Sequence, residues 1–176
     1  IVYNEEKPPL PSGYARTVID AIGGKDRTVL LEPGRVIVGN AGILVTRVLY
    51  NKGNPSKNFV IVDAAMTDLI RPSLYGAYQE VRPVLVEDRE TILADVVGPV
   101  CESGDFFAKE RKFPRVKRGE LVAVFSAGAY GYAMSSNYNS HPRPCEVMVA
   151  GREAKVVTKR ETHEDLLRNE QVETFS

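Results

Sequence analysis

Cys101 and Glu102 stand side by side in the segment Cys101-Glu102-Ser103-Gly104-Asp105, directly after an apolar run. A thiol here could transfer a proton or attack an electrophile, and the neighbouring carboxylate could bind a cationic group of a substrate. The alternative is structural, because cysteine is often buried and then behaves as a small hydrophobic residue. The pair alone does not decide between these two readings.

The tetrapeptide Glu32-Pro33-Gly34-Arg35 follows the apolar run Thr28-Val29-Leu30-Leu31. This run predicts a buried strand, and in α/β barrels the carboxyl end of a strand faces the active site. Gly34 would let backbone N–H groups approach an anion, and Arg35 offers a planar guanidinium for a phosphate or a carboxylate. An ordinary turn with a solvent-exposed arginine is the alternative.

Two further motifs combine aromatic hydroxyls with possible ligand contacts. Arg71 and Tyr75 are four residues apart, so a helical turn would set both on one face, where they could bind a carboxylate. Tyr130 lies in Ala127-Gly128-Ala129-Tyr130-Gly131, whose small residues would allow close approach of a flat ligand. The alternatives are a surface turn for the first motif and a tightly packed strand crossing for the second.

The segments around these motifs predict two different kinds of secondary structure. Residues 12–22 have the apolar period of a helix, with Ser12 as a possible cap and Gly23-Gly24 at its end. Followed by the strand at residues 28–31, this helix would be one unit of an α/β barrel. After about residue 40, short strand-like segments follow one another, with turns rich in Gly, Pro and Asn between them.

Regular short strands of this kind predict an antiparallel barrel or sandwich. Thr162 and Asp165 predict the cap of a closing helix. The predicted fold class is therefore mainly β: an antiparallel β-barrel or sandwich domain at residues 41–176, preceded at residues 1–40 by the last helix-strand unit of a (β/α)8 barrel. The strand-like segments are 43–50, 59–63, 81–86, 92–97, 120–126, 146–149 and 155–158.

Composition narrows the class of protein. Lys plus Arg and Asp plus Glu both number 23, so we expect neither nucleic acid nor a membrane as partner. We expect no membrane helix and no signal peptide. The two cysteines, Cys101 and Cys145, do not make a disulfide framework, and His141 and His163 lack zinc-ligand spacing. A reduced cytoplasmic or plastid-stromal protein is expected, and Ile1 as first residue suggests part of a longer one.

Taken together, the motifs resemble the diaminopimelate decarboxylases, within the barrel-type, pyridoxal-phosphate-dependent decarboxylases. Ser135-Ser136-Asn137-Tyr138-Asn139, followed by Arg143-Pro144, strengthens the resemblance, which extends over residues 12–160. It implies an α/β barrel followed by a β domain, and a homodimer with shared active sites at the interface. It also implies pyridoxal 5′-phosphate as cofactor and decarboxylation of meso-2,6-diaminopimelate to L-lysine, the last step of lysine biosynthesis.

The resemblance gives each motif a role. Cys101 would be the catalytic proton donor, and Glu102 would contact the distal amino group of the substrate. Both would serve the active site of the neighbouring subunit. The residues that would bind the cofactor are Glu32, Pro33, Gly34, Arg35 and Tyr130. The residues that would bind the amino-acid substrate are Arg35, Arg71, Tyr75, Glu102 and Tyr130.

Members of this family hold the cofactor as a Schiff base on a lysine of an early barrel strand, and no lysine here has that setting. Turns are predicted at Lys25, Lys52, Lys57 and Lys117, and a charged loop at Lys109 and Lys112. We therefore expect a C-terminal portion that is inactive alone. A related decarboxylase of ornithine, arginine or a carboxylated polyamine stays open, although such enzymes of ornithine type have Asp after the cysteine. A non-catalytic relative acting as a binding or dimerisation module is the other alternative.

Overall fold

The computed structural model describes residues 1–23 and 26–171. Within them, three α-helices and eight β-strands follow one another. The helices are α1 (Pro11–Ile22), α2 (Arg71–Tyr75) and α3 (His163–Leu167). The strands are β1 (Leu44–Asn54), β2 (Lys57–Val62), β3 (Val81–Pro83), β4 (Thr91–Val97), β5 (Phe106–Pro114), β6 (Leu121–Val124), β7 (Glu146–Ala150) and β8 (Glu153–Thr158).

Six of the strands form one sheet in the order β3-β6-β1-β2-β4-β5, and β7 with β8 forms a separate antiparallel hairpin. All neighbours in the large sheet are antiparallel except β2 and β4, which are parallel. The outer strands approach each other, because Arg111 of β5 donates a hydrogen bond of 3.1 Å to the backbone carbonyl of Gln79, just before β3. The sheet is thus nearly closed, and the prediction of a mainly β fold is confirmed.

The interior of the sheet is filled largely by valine and phenylalanine. In β1, Thr46 and Val48 are buried while Val45 and Arg47 are exposed, which is the alternation of a strand with one covered face. Removal of this apolar surface from water is the main force that stabilises the sheet. The largest buried apolar side chains are Val48, Val60, Val62, Leu69, Val96, Phe107, Phe113, Val116, Val122 and Val124.

The predicted strand at residues 28–31 is wrong for the described chain. These residues are exposed, Leu30 by 89 %, and they pair with no strand of the described residues. A strand needs a neighbour that takes up its backbone N–H and C=O groups. The apolar run therefore indicates a segment suited to burial, while the described residues supply no surface that buries it.

The helix predicted at residues 12–22 is confirmed, but its start differs. Pro11 occupies the first turn after Leu10, so Ser12 lies inside the helix and does not cap it. Proline suits this position because its missing N–H would have no helical partner there. At the other end Gly23 adopts the left-handed conformation, with φ 62°, as predicted. Gly24 lies outside the described residues.

The strand β5 occupies residues for which the charged composition predicts a loop. Phe107 and Phe113 are buried, while Lys109 and Lys112 are exposed. Between them Glu110 has a φ of 48°, and the pairing of β4 with β5 is irregular near this residue. Such a bulge interrupts the two-residue period, so the sequence does not alternate as a regular strand would.

The turn predicted at residues 51–55 is shorter in the structure. β1 continues to Asn54, and only Pro55 and Ser56 form the turn. The side-chain oxygen of Asn54 accepts hydrogen bonds from the N–H groups of Ser56 and Lys57, at 3.0 and 2.7 Å, and this closes the turn. Lys52 and Lys57 therefore lie in strands, and Lys25 is outside the described residues.

Other predicted features agree with the structure or are shorter in it than predicted. The capping box at α3 is confirmed, because Asp165 Oδ2 accepts the N–H of Thr162 at 2.8 Å and Thr162 Oγ1 accepts the N–H of Asp165 at 3.3 Å. β3 ends at Pro83, short of the predicted residue 86, although the N–H of Val84 still donates to the carbonyl of Leu121 at 2.9 Å. Both cysteines are free thiols. In the described residues, no helix has the length and apolar character needed to cross a membrane.

Phe113→Ala is expected to destabilise the intact protein by about 3–5 kcal/mol, because it empties a fully buried site in the sheet interior. The matched control is Lys112→Ala, an exposed neighbour on the same strand, which should stay within about 0.5 kcal/mol. Denaturant titration measures both free energies of unfolding. Equal effects of the two variants would contradict this assignment of the core.

Candidate active site

The short helix α2 sets Arg71 and Tyr75 on one face, as their spacing predicts. Gly76 ends the helix with a φ of 60°, and its N–H bonds to the carbonyl of Arg71. The guanidinium carbon of Arg71 lies 5.6 Å from the centre of the Tyr75 ring, within the range of a cation–π contact. This motif is therefore a helical turn with an arginine–tyrosine contact, and Tyr75 itself is 61 % exposed.

Arg71 also contacts Tyr130, whose ring centre lies 5.6 Å from the same guanidinium carbon. The arginine is only 9 % exposed, and its Nε is buried without a hydrogen-bond partner among the described residues. A buried donor of a charged group is costly when it stays unpaired. Arg71 is thus suited to receive an anionic ligand beside two tyrosines.

The tetrapeptide at residues 32–35 reaches the same place through Gly34. A Cβ added at Gly34 would lie 3.2 Å from the hydroxyl oxygen of Tyr130, so backbone and hydroxyl are close neighbours. Arg35 donates a hydrogen bond of 3.1 Å to the hydroxyl of Tyr3, a residue that the sequence did not single out. Glu32 and Pro33 are exposed on the same loop.

The glycine-rich stretch forms a tight crossing of two chain segments, which was one of its two readings. A Cβ added at Gly128 would overlap the carbonyl oxygen of Val38 and lie 2.8 Å from the nitrogen of Gly42. A hydrogen bond from Ala127 N to the Gly42 carbonyl, at 2.9 Å, joins the same segments. The crossing fixes the position of the backbone just before Tyr130. Tyr130 itself has a φ of 59°.

Cys101 is exposed, so it is not a buried structural cysteine. Its loop is fixed from the inner side by Asp105, which is 5 % exposed. Asp105 Oδ1 accepts the N–H of Met66 at 2.7 Å, and Oδ2 accepts the N–H of Val100 at 2.9 Å. Burial raises the pKa of Asp105, and these two N–H groups act in the opposite direction.

The helix α2 also holds the Cys101 loop directly. Ser73 donates a hydrogen bond of 2.6 Å to the carbonyl of Gly104. Arg71 and Ser73 belong to one turn of helix, so the same element carries the anion-binding arginine and anchors the thiol loop. The helix α2 carries one predicted motif, and the other three are attached to it, directly or through Tyr130.

Glu102 presents an ordered, exposed carboxylate beside the thiol. Its Oε1 accepts the N–H of Gly104 at 3.0 Å, and its Oε2 accepts the hydroxyl of Tyr138 at 3.1 Å. The Gly104 N–H, followed by the Tyr138 hydroxyl, lowers the pKa of Glu102, while Glu102 raises the pKa of Tyr138. Glu102 is thus a fixed negative charge, suited to a cationic group.

Comparison with known proteins decides the family. Residues 1–128 match the family described as "Pyridoxal-dependent decarboxylase, C-terminal sheet domain". The chain belongs to the pyridoxal-dependent decarboxylases. The match includes the loop at residues 32–35, α2, and the Cys101 loop, and it ends just before Tyr130.

Several curated relatives are named diaminopimelate decarboxylase. The one from Aquifex aeolicus is 50% identical over 160 residues, which cover 91% of this chain and 38% of the relative. The one from Pseudomonas aeruginosa is 49% identical over 168 residues, covering 96% of this chain and 40% of the relative. The chain thus spans about two fifths of the length of the curated relatives it matches.

Solved structures resemble the fold closely. A structure of AQ1208 from Aquifex aeolicus has a TM-score of 0.92 at 48% identity, covering 96% of this chain and 42% of that one. Diaminopimelate decarboxylase from Helicobacter pylori complexed with L-lysine has a TM-score of 0.89 at 43% identity, covering 96% of this chain and 41% of that one.

The residues present fit the cofactor that names the family. Pyridoxal phosphate carries a phosphate, and the Gly34 backbone, the Tyr130 hydroxyl and the Arg35 guanidinium are donors suited to such an anion. The Arg71 guanidinium contacts the same tyrosine, and its Nε, which has no hydrogen-bond partner among the described residues, adds a fourth donor for a cofactor or a substrate.

Gly98→Ala tests whether Asp105 holds the Cys101 loop. The added methyl would overlap both Asp105 carboxylate oxygens and lie 2.7 Å from the Ala64 carbonyl oxygen, so the carboxylate must move. We expect faster hydrogen–deuterium exchange at residues 100–106 and a stability loss of about 1–3 kcal/mol. Gly13→Ala, which meets nothing within 4 Å, is the control. Unchanged exchange at residues 100–106 would contradict the role of Asp105.

Proposed function

We propose that the intact enzyme containing this chain decarboxylates meso-2,6-diaminopimelate to L-lysine with pyridoxal 5′-phosphate as cofactor. The observation that carries this proposal is the fixed, ionised carboxylate of Glu102 directly beside the exposed thiol of Cys101. A substrate with a second amino-acid head needs an anionic group at its distal end, and Glu102 supplies one. The names of the relatives, and the L-lysine bound to the Helicobacter pylori enzyme, support the same substrate.

Cys101 is proposed as the catalytic acid. Bound pyridoxal phosphate supplies the electron sink that lets carbon dioxide leave an amino acid. The carbon that loses the carboxyl group must then receive a proton, and a thiol is able to donate one. The exposure of Cys101 leaves its Sγ accessible for this transfer.

The remaining site residues are proposed to bind anions. Gly34, Arg35 and Tyr130 would hold the cofactor phosphate, with Glu32 and Pro33 shaping the loop. Arg71 would bind a substrate carboxylate, because its Nε is buried without a partner among the described residues. Tyr75 would complete this contact, since its ring lies against the Arg71 guanidinium.

The assembly is proposed to be a homodimer in which Cys101 and Glu102 complete the partner's site. Their exposure, on a loop that Asp105 holds from the inner side, suits residues that face another subunit. Residues 1–40 are proposed to be the last helix-strand unit of the cofactor-binding barrel, and residues 41–176 the β domain. The exposed apolar run at residues 28–31 supports this division, because it would be buried beside other barrel strands.

Glu102→Gln in the intact enzyme removes the distal charge and keeps the side-chain size. We expect kcat/KM for meso-2,6-diaminopimelate to fall about 10- to 100-fold, the loss of one charge-assisted bond of about 1.5–3 kcal/mol. Release of L-lysine measures the rate, with ornithine and arginine as comparison substrates. Preferred turnover of ornithine or arginine by the unmodified enzyme would reject the proposed substrate.

Cys101→Ala should lower kcat for diaminopimelate about 10²- to 10⁴-fold, because it removes the proton donor, while KM changes little. Cys145→Ala is the matched control, since it removes the other free thiol of the chain. Steady-state kinetics on the intact, cofactor-loaded enzyme separates kcat from KM. Undiminished turnover by Cys101→Ala would remove this thiol from the reaction.

A further inference from the structure

Tyr138 begins an unusual turn. The two residues after it, Asn139 and Ser140, both have left-handed backbone conformations, with φ values of 58° and 55°. Residues other than glycine adopt this conformation at a cost in free energy, and two in succession persist only when the surroundings enforce them. Strain of this kind is found chiefly where function requires a particular side-chain position.

A cluster of polar side chains enforces the turn. This polar cluster consists of Ser135, Asn137, Arg143 and Glu161. Arg143 Nη1 donates to Asn137 Oδ1 at 2.6 Å and to Glu161 Oε1 at 3.0 Å, and its Nε donates to Ser135 Oγ at 3.1 Å. The cluster joins the residues before and after Tyr138 to the segment that precedes α3.

Asn137 links the polar cluster directly to the turn. Its side-chain nitrogen donates to Glu161 Oε2 at 2.7 Å and to the carbonyl of His141 at 3.1 Å. The hydrogen bond to the His141 carbonyl spans the strained residues and closes the turn. The backbone on both sides of Tyr138 is therefore fixed, although the tyrosine itself is exposed.

This arrangement places Tyr138 in contact with Glu102. The tyrosine hydroxyl donates a hydrogen bond of 3.1 Å to one carboxylate oxygen, and the N–H of Gly104 donates one of 3.0 Å to the other. A carboxylate has about four lone-pair sites, so roughly two stay available to an ammonium group. Holding both oxygens reduces the side-chain freedom that Glu102 would otherwise lose on binding a substrate.

We propose that Tyr138 is a positioning residue that orients the Glu102 carboxylate toward the distal ammonium group of the substrate. The polar cluster and the strained turn hold the tyrosine in that place. This inference rests on the proposed function, and it adds the residues that set the geometry of Glu102. Tyr138 acts through Glu102 and does not take part in proton transfer by Cys101.

Tyr138→Phe in the intact enzyme removes only the hydroxyl. We expect KM for meso-2,6-diaminopimelate to rise about 3- to 10-fold, the effect of one lost hydrogen bond, with kcat changed less than about twofold. The probe 2-aminopimelate lacks the distal amino group, so its competitive inhibition constant should stay unchanged. Tyr50→Phe, at another exposed tyrosine, is the control and should alter neither value.

Two further variants separate positioning from a general disturbance. In a Glu102→Gln background, Tyr138→Phe should have almost no additional effect on KM, because the residue it orients has lost its charge. Asn137→Ala keeps the tyrosine but removes its support, and should also raise KM without lowering kcat. Thermal unfolding midpoints show whether each variant remains folded.

The outcomes are distinct. If the unmodified enzyme releases no L-lysine from diaminopimelate, the proposed function fails, and this inference fails with it before any variant is made. If the unmodified enzyme is active but Tyr138→Phe leaves KM unchanged, the inference alone is overturned. A Tyr138→Phe variant that weakens 2-aminopimelate as much as diaminopimelate also overturns it.

Discussion

The buried carboxylate of Asp105 is the contact on which the geometry of the site depends. It joins the segment that leads into α2, through Met66, to the segment that leads to Cys101, through Val100. Water cannot take over these hydrogen bonds unless the fold opens, because the carboxylate is almost fully buried. Two segments that are distant in the sequence are thereby held in one arrangement, and Ser73 reinforces it from α2.

Asp105 and Glu102 are two carboxylates of one loop whose surroundings shift their pKa values in opposite directions. Burial raises the pKa of Asp105, whereas hydrogen bonds lower the pKa of the exposed Glu102. The first carboxylate satisfies backbone N–H groups inside the protein, and the second keeps its charge on the surface. The loop of Cys101 therefore carries a buried structural carboxylate and an exposed charged one.

The sequence predicted the parts of the molecule that depend on local patterns. The helix at α1, the capping box at Thr162 and the shared face of Arg71 and Tyr75 are all encoded within a few residues. Strand β5 escaped prediction because its bulge and its outward charges conceal the period. The described residues 28–31 form no strand, because strand formation depends on a neighbour rather than on the run itself.

Contacts between distant segments could not be read from the sequence. The role of Asp105 needs the positions of Met66 and Val100, and the contact of Tyr138 with Glu102 needs two loops that only the fold brings together. The motif Ser135-Ser136-Asn137-Tyr138-Asn139 indicated that this region matters. The strained backbone of Asn139 and Ser140 explains why such a polar stretch is required.

The parallel pairing of β2 with β4 limits how far the connection between these strands can be shortened. Antiparallel neighbours can be joined by a tight turn, but parallel neighbours require a long connection that crosses the sheet. That connection, residues 63–90, contains α2 and β3, and the parallel pairing sets a minimum to its length. The Cys101 loop joins antiparallel β4 and β5 and carries no such constraint. Changes in length are therefore accommodated more easily in that loop than in the connection that contains α2.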